Sequence, residues 1–311
     1  MIYRITYEKT LISALILTAL FTATGCEDKE AKATIAQQTQ TIAQLTAENT
    51  QLKAEKEKAE KVIPAIFAEK DVIFEKVEKI KYTPSQERWF ERDEVEIDIS
   101  LLGLKTNIDW LDELLWSELV KKEFGENAPK TRDQVRSEYQ TILNDVKASL
   151  EKEPELGFSR NTWMMFVGQK EKLATFAIRY YSYTGGPHGL GGSEYLTIDM
   201  TTHKVLTLSD IIEQKKLPEV KELLWSFYTD DGRIKDEEAF TKKTDFDVSK
   251  NFYLAHDGIH FIYHVYEIAS YAEGEQDLVI PWVWLQRENL LTSDFVKQKY
   301  YDLGYIAPVK G

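Results

Sequence analysis

A seven-residue hydrophobic repeat runs through the N-terminal part of the chain, and Pro64 ends or kinks this segment. Residues 27–61 contain no glycine, proline or aromatic residue. Two positions of a seven-residue repeat run through this segment: one holds Ile35, Ile42, Asn49 and Lys56, and the other holds Gln38, Leu45, Leu52 and Ala59. The repeat predicts a coiled-coil-like helix whose register Asn49 would fix. Self-association through this stalk and a solvated single spacer are both compatible with so short a repeat.

The next segments change character twice. Residues 63–80 are amphipathic and are interpreted as a helix that continues the stalk. Residues 94–102 alternate apolar and polar side chains, as a half-buried strand does. Apolar residues at helical spacing then predict helices at 110–124 and 131–151, and Thr131 is expected to cap the second.

Beyond residue 160 the pattern predicts strands mixed with a few helices. Asp257-Gly258 lies between two short apolar runs and is a strong hairpin signal. Predicted strands cover 163–167, 173–184, 194–199, 204–207, 252–254, 259–263 and 277–284, and predicted helices cover 218–228 and 290–299. Because strands and helices do not alternate regularly, the fold class is α+β: an antiparallel sheet with flanking helices, preceded by the helical stalk.

The N-terminus has the composition of an export signal. Basic residues precede a mostly apolar run at 11–21, which is too short to cross a bilayer because a spanning helix needs about 20 residues. The tail Ala23-Thr24-Gly25-Cys26 resembles the lipobox of bacterial lipoproteins, which more often has leucine at the position of Ala23. The resemblance implies that residues 1–25 are a signal peptide and that Cys26 is lipidated.

Cys26 is the only cysteine in the chain, so no internal disulfide can form. Lipidation would also remove a free thiol that an oxidising compartment would attack. Glu27 stands where inner-membrane lipoproteins of enterobacteria carry aspartate. The sequence therefore predicts a lipid-anchored protein of the bacterial cell envelope, at the outer membrane and facing the periplasm. An ordinary secretory or anchoring segment with a free cysteine is the alternative.

The composition is acidic. The formal net charge is −13 for the whole chain, and it becomes −14 without the leader, which holds Arg4, Glu8 and Lys9. An acidic surface repels nucleic acid, so nucleic-acid binding is excluded, whereas cationic partners, metal ions or simple solubility remain. Hydrophobic residues make up 43% of the chain, which is enough for a substantial core.

Two motifs in the C-terminal half resemble a known family. The first is Tyr180-Tyr181-Ser182-Tyr183-Thr184-Gly185-Gly186-Pro187-His188-Gly189. The second consists of Phe252-Tyr253-Leu254, Asp257-Gly258-Ile259, Tyr266-Glu267-Ile268-Ala269, Tyr271-Ala272-Glu273-Gly274 and Ile280-Pro281. Together they resemble the tyrosine-rich strand, the Gly-Gly-Ala-His turn and the later hairpin signature of the RsiV-like family of unknown function. The match covers residues 160–290, and Pro187 replaces the usual alanine.

That family includes the extracellular part of an anti-sigma factor, which binds lysozyme, and the non-catalytic part of a peptidoglycan deacetylase. The resemblance therefore implies a cell-envelope binding domain for lysozyme or peptidoglycan. The anti-sigma role is not expected, because no sigma-binding segment followed by a membrane-spanning helix is found. The candidate ligand-binding residues are Tyr181, Tyr183, Gly185, Gly186, His188, Tyr266, Glu267 and Tyr271. A tight structural connection is the alternative for the glycine-rich stretch.

The predicted organisation has four segments. Residues 1–25 are the signal peptide, and residues 26–80 are the lipidated cysteine and the helical stalk. Residues 81–160 form an N-terminal α+β subdomain, and residues 161–311 form the RsiV-like domain.

Patterns that indicate catalysis or metal binding are weak. His256, His260 and His264 have the spacing of zinc ligands on a helix, but the hairpin signal at 257–258 sets the last two about 13 Å apart on one strand. No metal or other cofactor is expected. Neither Gly-x-Ser-x-Gly nor His-Glu-x-x-His occurs. Non-catalytic binding is the favoured function, and the alternative is an envelope hydrolase that acts on peptidoglycan or a related glycan through carboxylates or His188.

Overall fold

The computed structural model describes residues 29–60, 63–83, 90–229, 235, 237–298 and 300. The chain forms two compact units, residues 1–62 and residues 63–311. The predicted signal peptide and Cys26 lie outside the described residues, so export and lipidation stay predictions. Within the described ranges, no helix combines the length and the apolar character needed to cross a bilayer.

The first unit contains one long helix, α1 (Lys29–Glu60), as the heptad pattern predicts. The helix has 32 residues, and its described side chains, at 32–53, are all exposed. They include the four large apolar residues of the repeat, whose exposed fractions are 43%, 62%, 56% and 56% for Ile35, Ile42, Leu45 and Leu52. Tertiary packing within the described chain therefore does not account for the repeat.

The second unit is built around a six-stranded sheet in which sequence order and spatial order agree. Its strands are β1 (Ala68–Lys81), β2 (Glu94–Thr106), β3 (Phe158–Lys170), β4 (Leu173–Tyr183), β5 (Leu190–Asp199) and β6 (Lys204–Val205). Neighbouring strands are antiparallel except β2 and β3, which are parallel. A parallel pair needs a crossover, and α2 (Asp109–Phe124) and α3 (Arg132–Lys152) supply it.

The helical interpretation of residues 63–80 is wrong, because β1 occupies 68–81. Ile73, Val77 and Ile80 have helical spacing, which favoured that interpretation. A β-bulge between Val72 and Phe74 breaks the two-residue alternation of the strand and buries two adjacent side chains, Ile73 and Phe74. The strand therefore lacks the simple alternation by which strands are recognised.

The first hydrophobic core lies between this sheet and helices α2 and α3. Strand β2 contributes Ile97, Ile99 and Leu101, all with no exposed surface. The helices contribute Leu111, Leu115, Leu119, Val135, Tyr139 and Leu143. Burying one such aliphatic side chain contributes about 1.5–3 kcal/mol, so the predicted apolar faces of both helices contribute substantially to the stability of this core.

The C-terminal part adds a three-stranded antiparallel sheet of β7 (Phe252–Leu254), β8 (Gly258–Tyr263) and β9 (Gln276–Pro281). The predicted hairpin at Asp257-Gly258 is confirmed. The helices of this part are α4 (Leu208–Ile211), α5 (Leu217–Tyr228), α6 (Trp282–Arg287) and α7 (Ser293–Gln298). Together they surround a second core.

The last predicted strand, 277–284, is too long at its C-terminal end. Strand β9 ends at Pro281, whose φ of −61° and ψ of 147° lead into α6. Trp282 is buried, and its indole Nε1 donates to the carbonyl oxygen of Ala255 at 2.9 Å. Proline has no N–H for the ladder, which explains why the strand stops there.

The buried carboxylate of Asp199 fastens the end of the described chain to β5. Tyr300 Oη donates to Asp199 Oδ2 at 2.6 Å, and the backbone N–H and the hydroxyl of Thr201 donate to Oδ1 at 2.8 and 2.6 Å. Burial by itself raises the pKa of Asp199, but these donors outweigh it and hold the pKa below its ordinary value of 3.8. The buried charge is therefore fully hydrogen-bonded, as a stable fold requires.

Candidate functional site

The first motif forms the hairpin between β4 and β5. Tyr180 pairs with Gly192 and Ser182 pairs with Leu190, so the connection is short. Gly185 has a φ of +97°, and a Cβ added there would lie 2.6 Å from Glu155 Oε2. Glycine is therefore required for the turn itself.

The middle of the second motif, residues 266–274, lies between β8 and β9 and contains an uncommon backbone conformation. Tyr266 has a φ of +70°, a region that residues other than glycine seldom adopt. The turn is held by Tyr266 N–H, which donates to the Ala269 carbonyl at 3.0 Å, and by His264 N–H, which donates to Glu267 Oε2 at 2.9 Å. The result is an exposed tyrosine with 52% of its surface accessible.

The two motifs meet in a surface aromatic cluster of His188, Tyr266 and Tyr271, although His188 and Tyr266 are 78 positions apart. The His188 and Tyr271 rings are stacked, with centroids 3.9 Å apart and planes at 21°. Tyr266 Oη lies 3.4 Å from His188 Nε2, and His188 Nδ1 lies 3.1 Å from the Gly189 carbonyl oxygen. A neutral ring that donates from Nδ1 and accepts at Nε2 satisfies both contacts.

The remaining candidate residues surround this cluster or lie apart from it. Tyr181 packs against Gly189, where an added Cβ would lie 2.4 Å from its ring, and Gly186 is exposed in the same hairpin turn. Glu267 follows Tyr266 in the chain, and its carboxylate accepts the hydrogen bond from His264 N–H that holds the turn. Tyr183 lies elsewhere, in a groove of about 320 Å³ that Lys79 and Arg92 also line. The structure thus brings three of the eight candidates into direct contact.

A polar network beside the cluster was not predicted. His264 Nδ1 lies 2.9 Å from Glu275 Oε1, and the Glu275 carboxylate also accepts hydrogen bonds from the backbone N–H and the hydroxyl of Ser193, at 2.9 and 2.7 Å. A Cβ added to Gly192 would lie 2.5 Å from Tyr180 Oη and 2.9 Å from His264 Nδ1. Only glycine leaves room for His264 against Tyr180.

The charges in this network stabilise each other. The hydrogen bond to Glu275 raises the pKa of His264 above its ordinary value of 6.5, although burial opposes the change. Burial raises the pKa of Glu275, but hydrogen bonds from His264 and Ser193 outweigh it and leave the pKa below 4.5. Between about pH 4.5 and 6.5 the pair is therefore a charged histidine–carboxylate contact.

Asn251 extends the network along the free edge of β5. That edge pairs with β6 only at Ile198 and Asp199. Further along it, Tyr195 N–H donates to Asn251 Oδ1 at 2.9 Å, and Asn251 Nδ2 donates to the Ser193 carbonyl at 2.6 Å. Single polar residues so far apart in the chain carry no sequence signal, and only the fold brings them together.

A groove of about 490 Å³ adjoins the cluster. It is lined by residues 245–251 together with Tyr263, His264, Glu267 and Ile268. From 264 to 277 the chain has four carboxylates, Glu267, Glu273, Glu275 and Asp277, and neither lysine nor arginine. Glu275 and Asp277 pair with His264 and His260, so Glu267 and Glu273 are the negative charges of the turn that carries Tyr266 and Tyr271, and negative charge there attracts cations.

The three histidines with zinc-like spacing have different partners. His260 lies between Asp257 and Asp277, His264 contacts Glu275, and His256 lies in the exposed hairpin turn. Among the described residues, no group of three or more His, Cys, Asp or Glu side chains is arranged to hold a metal ion. The histidine spacing thus reflects a hairpin with two separate ion pairs.

Comparison with known proteins identifies the class of domain. Residues 202–283 match the sequence profile of the family described as protein of unknown function DUF3298. The chain therefore carries a DUF3298 domain, and RsiV-like domains belong to that family. The matched range includes the whole second motif, whereas the first motif, 180–189, precedes it. No match was found among curated proteins.

Solved structures share the fold. A member of the DUF3298 family from Bacteroides fragilis NCTC 9343 has a TM-score of 0.58 at 22% identity, over 75% of this chain and 97% of that chain. A DUF3298 family protein from Pseudomonas aeruginosa PAO1 has a TM-score of 0.51 at 19% identity, also over 75% of this chain and 97% of that chain. The likeness concerns the fold, and the predicted α+β class with flanking helices is confirmed.

Proposed function

We propose that this chain is a cell-envelope lipoprotein whose DUF3298-containing unit binds a cationic protein of the lysozyme type without catalysing a reaction. The observation that carries the proposal is the exposed aromatic cluster at the meeting point of the two motifs. Its nearest charged neighbours along the second motif are carboxylates. Lipid attachment at Cys26 rests on the lipobox resemblance alone.

An aromatic surface with acidic neighbours suits a partner rich in arginine and lysine. A guanidinium group stacks on the face of a tyrosine ring, and such a contact contributes about 0.5–2 kcal/mol. Tyr266 exposes half of its surface, while its ring contacts the Tyr271 ring and its hydroxyl lies 3.4 Å from His188 Nε2. A rigid exposed aromatic residue of this kind is typical of the residues that dominate protein interfaces.

The hydrolase hypothesis has less support from the geometry. The contacts described for His188 are with Tyr266, Tyr271 and the Gly189 carbonyl, and none of these groups is a carboxylate. A general base needs a partner that orients it, and a glycosidase needs two carboxyl groups on either side of the scissile bond. Peptidoglycan sugars could stack on the same tyrosine rings, so the experiment below includes peptidoglycan as a competing ligand.

The test measures lysozyme binding to the purified full chain by isothermal titration calorimetry at low and at physiological ionic strength. We expect binding that weakens with salt and a tenfold or greater loss, about 1.4 kcal/mol, in Tyr266→Ala. The matched control is Phe67→Ala, since Phe67 is 71% exposed and lies outside both motifs; its affinity should not change.

Two results would reject the proposal. Lysozyme that fails to bind at low ionic strength, while insoluble peptidoglycan retains the protein, would replace the cationic partner by a glycan. Release of muropeptides by the wild-type chain, abolished in His188→Ala, would establish hydrolysis.

A further inference from the structure

The apolar stripe of α1 has no partner within the described chain. Ile35, Ile42, Leu45 and Leu52 are its large apolar residues between 32 and 53, and each is substantially exposed. They fall on the two seam positions of the heptad. An exposed stripe of this kind marks an interaction surface.

We infer that α1 pairs with α1 of a second copy of this chain as a parallel, in-register, two-stranded coiled coil over residues 35–53. The inference is independent of the proposed function. The first seam position holds the β-branched residues Ile35 and Ile42, and the second holds Leu45 and Leu52. β-Branched residues at the first position with leucine at the second favour two parallel strands.

Asn49 specifies the register. It occupies the first seam position one heptad after Ile42. In a parallel pair without axial shift, each Asn49 lies opposite the other and the two amides can hydrogen-bond. A shift by one heptad would set one Asn49 amide against Ile42 and the other against Lys56, so the amide pair would be lost and the amide beside Ile42 would have no partner.

The charges that flank the seam agree with the parallel direction. In an in-register parallel pair, Glu48 of one helix faces Lys53 of the other, and two-fold symmetry makes the contact twice. Residues five positions apart do not face each other within one helix, so the two charges complement each other only between helices. In an antiparallel pair, each flanking position faces the same heptad position of the other helix. Glu48 of one helix would then no longer face Lys53 of the other.

A partner helix can cover the threonines beside the seam without breaking the hydrogen bonds of their hydroxyl groups. The hydroxyls of Thr39, Thr41 and Thr46 donate to the carbonyl oxygens of Ile35, Gln37 and Ile42 at 2.8, 3.0 and 2.7 Å. Because these donors are already satisfied within the helix, a partner helix that excludes water leaves no donor unpaired.

Cysteine cross-linking in the full chain tests the direction. Leu45→Cys and Leu52→Cys should each form a disulfide-linked dimer on mild oxidation, because each seam position faces its own copy in a parallel pair. Ala47→Cys, on the outer face, is the matched control and should stay uncross-linked, and the parent chain reports any product through Cys26. An antiparallel pair brings at most one of the two seam positions against its own copy, so cross-linking at only one would reject the parallel arrangement.

Sedimentation equilibrium of the full chain in density-matched detergent tests the number of strands. We expect twice the chain mass for the parent and for Ala47→Asp, and a single chain mass for Ile42→Asp. Glu48→Lys should weaken the dimer, and adding Lys53→Glu to it should restore the association. A parent that sediments as a single chain, or with three chains or more, overturns the inference.

Discussion

His260 is held between two carboxylates on the three-stranded sheet. Its Nδ1 lies 2.9 Å from Asp277 Oδ1 and its Nε2 lies 3.1 Å from Asp257 Oδ1, while its ring stacks on Tyr253 with centroids 4.4 Å apart. Burial lowers the pKa of His260, but the two carboxylates outweigh burial and raise the pKa above 6.5. The hydrogen bond from His260 in turn lowers the pKa of Asp257.

We predict that His260→Gln lowers the free energy of unfolding more at mildly acidic than at alkaline pH. A raised histidine pKa contributes stability that is complete below about 6.5 and is lost as the pH rises through the folded-state pKa. The difference between wild type and variant should therefore be largest at about pH 5.5 and shrink toward about pH 9.

Urea unfolding at these two pH values measures the effect. His264 titrates in the same direction, but it is present in both proteins and cancels in the difference. The control is His256→Gln, because His256 is 91% exposed and should give a small difference at both pH values. A His260→Gln difference that stays constant or grows with pH would contradict the ion-pair account.

The candidate residues show what the sequence could predict at this scale. His188, Tyr266 and Tyr271 were found because two motifs resemble a family, and the fold brings them together. Ser193 and Glu275 were missed, because they stand alone in the sequence and gain their partners only when β5 and β9 come close. Tyr183 was included because it belongs to the first motif. It lies only two positions after Tyr181 on β4, but it lines a different groove.

Secondary-structure elements were predictable where local chemistry marks their ends. Thr131 was expected to cap a helix, and α3 begins there with a complete capping box: Gln134 N–H donates to Thr131 Oγ1 at 3.2 Å, and Thr131 N–H donates to Gln134 Oε1 at 3.1 Å. Strand β1 was missed because its bulge removes the alternation that identifies a strand. Local patterns therefore predict regular elements and fail at an irregularity that the tertiary structure imposes.

We predict that Thr131→Ala lowers the free energy of unfolding by about 1 kcal/mol, because the backbone N–H of Gln134 in the first turn of α3 loses its acceptor. Thr141→Ala is the matched control in the same helix. The Thr141 hydroxyl donates to the Ser137 carbonyl, and alanine has the higher helix propensity, so this variant should be neutral or slightly more stable. Thermal unfolding followed by circular dichroism compares the two; equal losses in both would refute the capping argument.

The molecule's two sheets are connected along the edge of β5. Asn251 and Glu275 come from segments next to the three-stranded sheet and bond to backbone groups of Ser193 and Tyr195 in the six-stranded sheet. The two hydrophobic cores are thus joined by polar side chains that act in place of a neighbouring strand. The hydrophobic pattern of the sequence predicts the elements that form each core, but it does not predict the hydrogen bonds that connect the two sheets.

We predict that Asn251→Ala destabilises the protein by about 1–3 kcal/mol, because it leaves the Tyr195 N–H and the Ser193 carbonyl without their partner. Hydrogen exchange should show faster exchange of the Tyr195 amide, with little change at Ala177, which lies on the neighbouring β4. Asn144→Ala, on the exposed face of α3, is the control. Unchanged protection at Tyr195 would show that Asn251 does not hold this edge.

The same side chains have a second consequence, which concerns the solubility of the protein. A strand edge with free N–H and carbonyl groups is a template on which another molecule can add a strand, and unprotected edges lead to aggregation. On β5 these groups are occupied by an amide and a carboxylate, and a side chain cannot extend a ladder as a backbone does. Loosening Asn251 would therefore threaten solubility as well as folding.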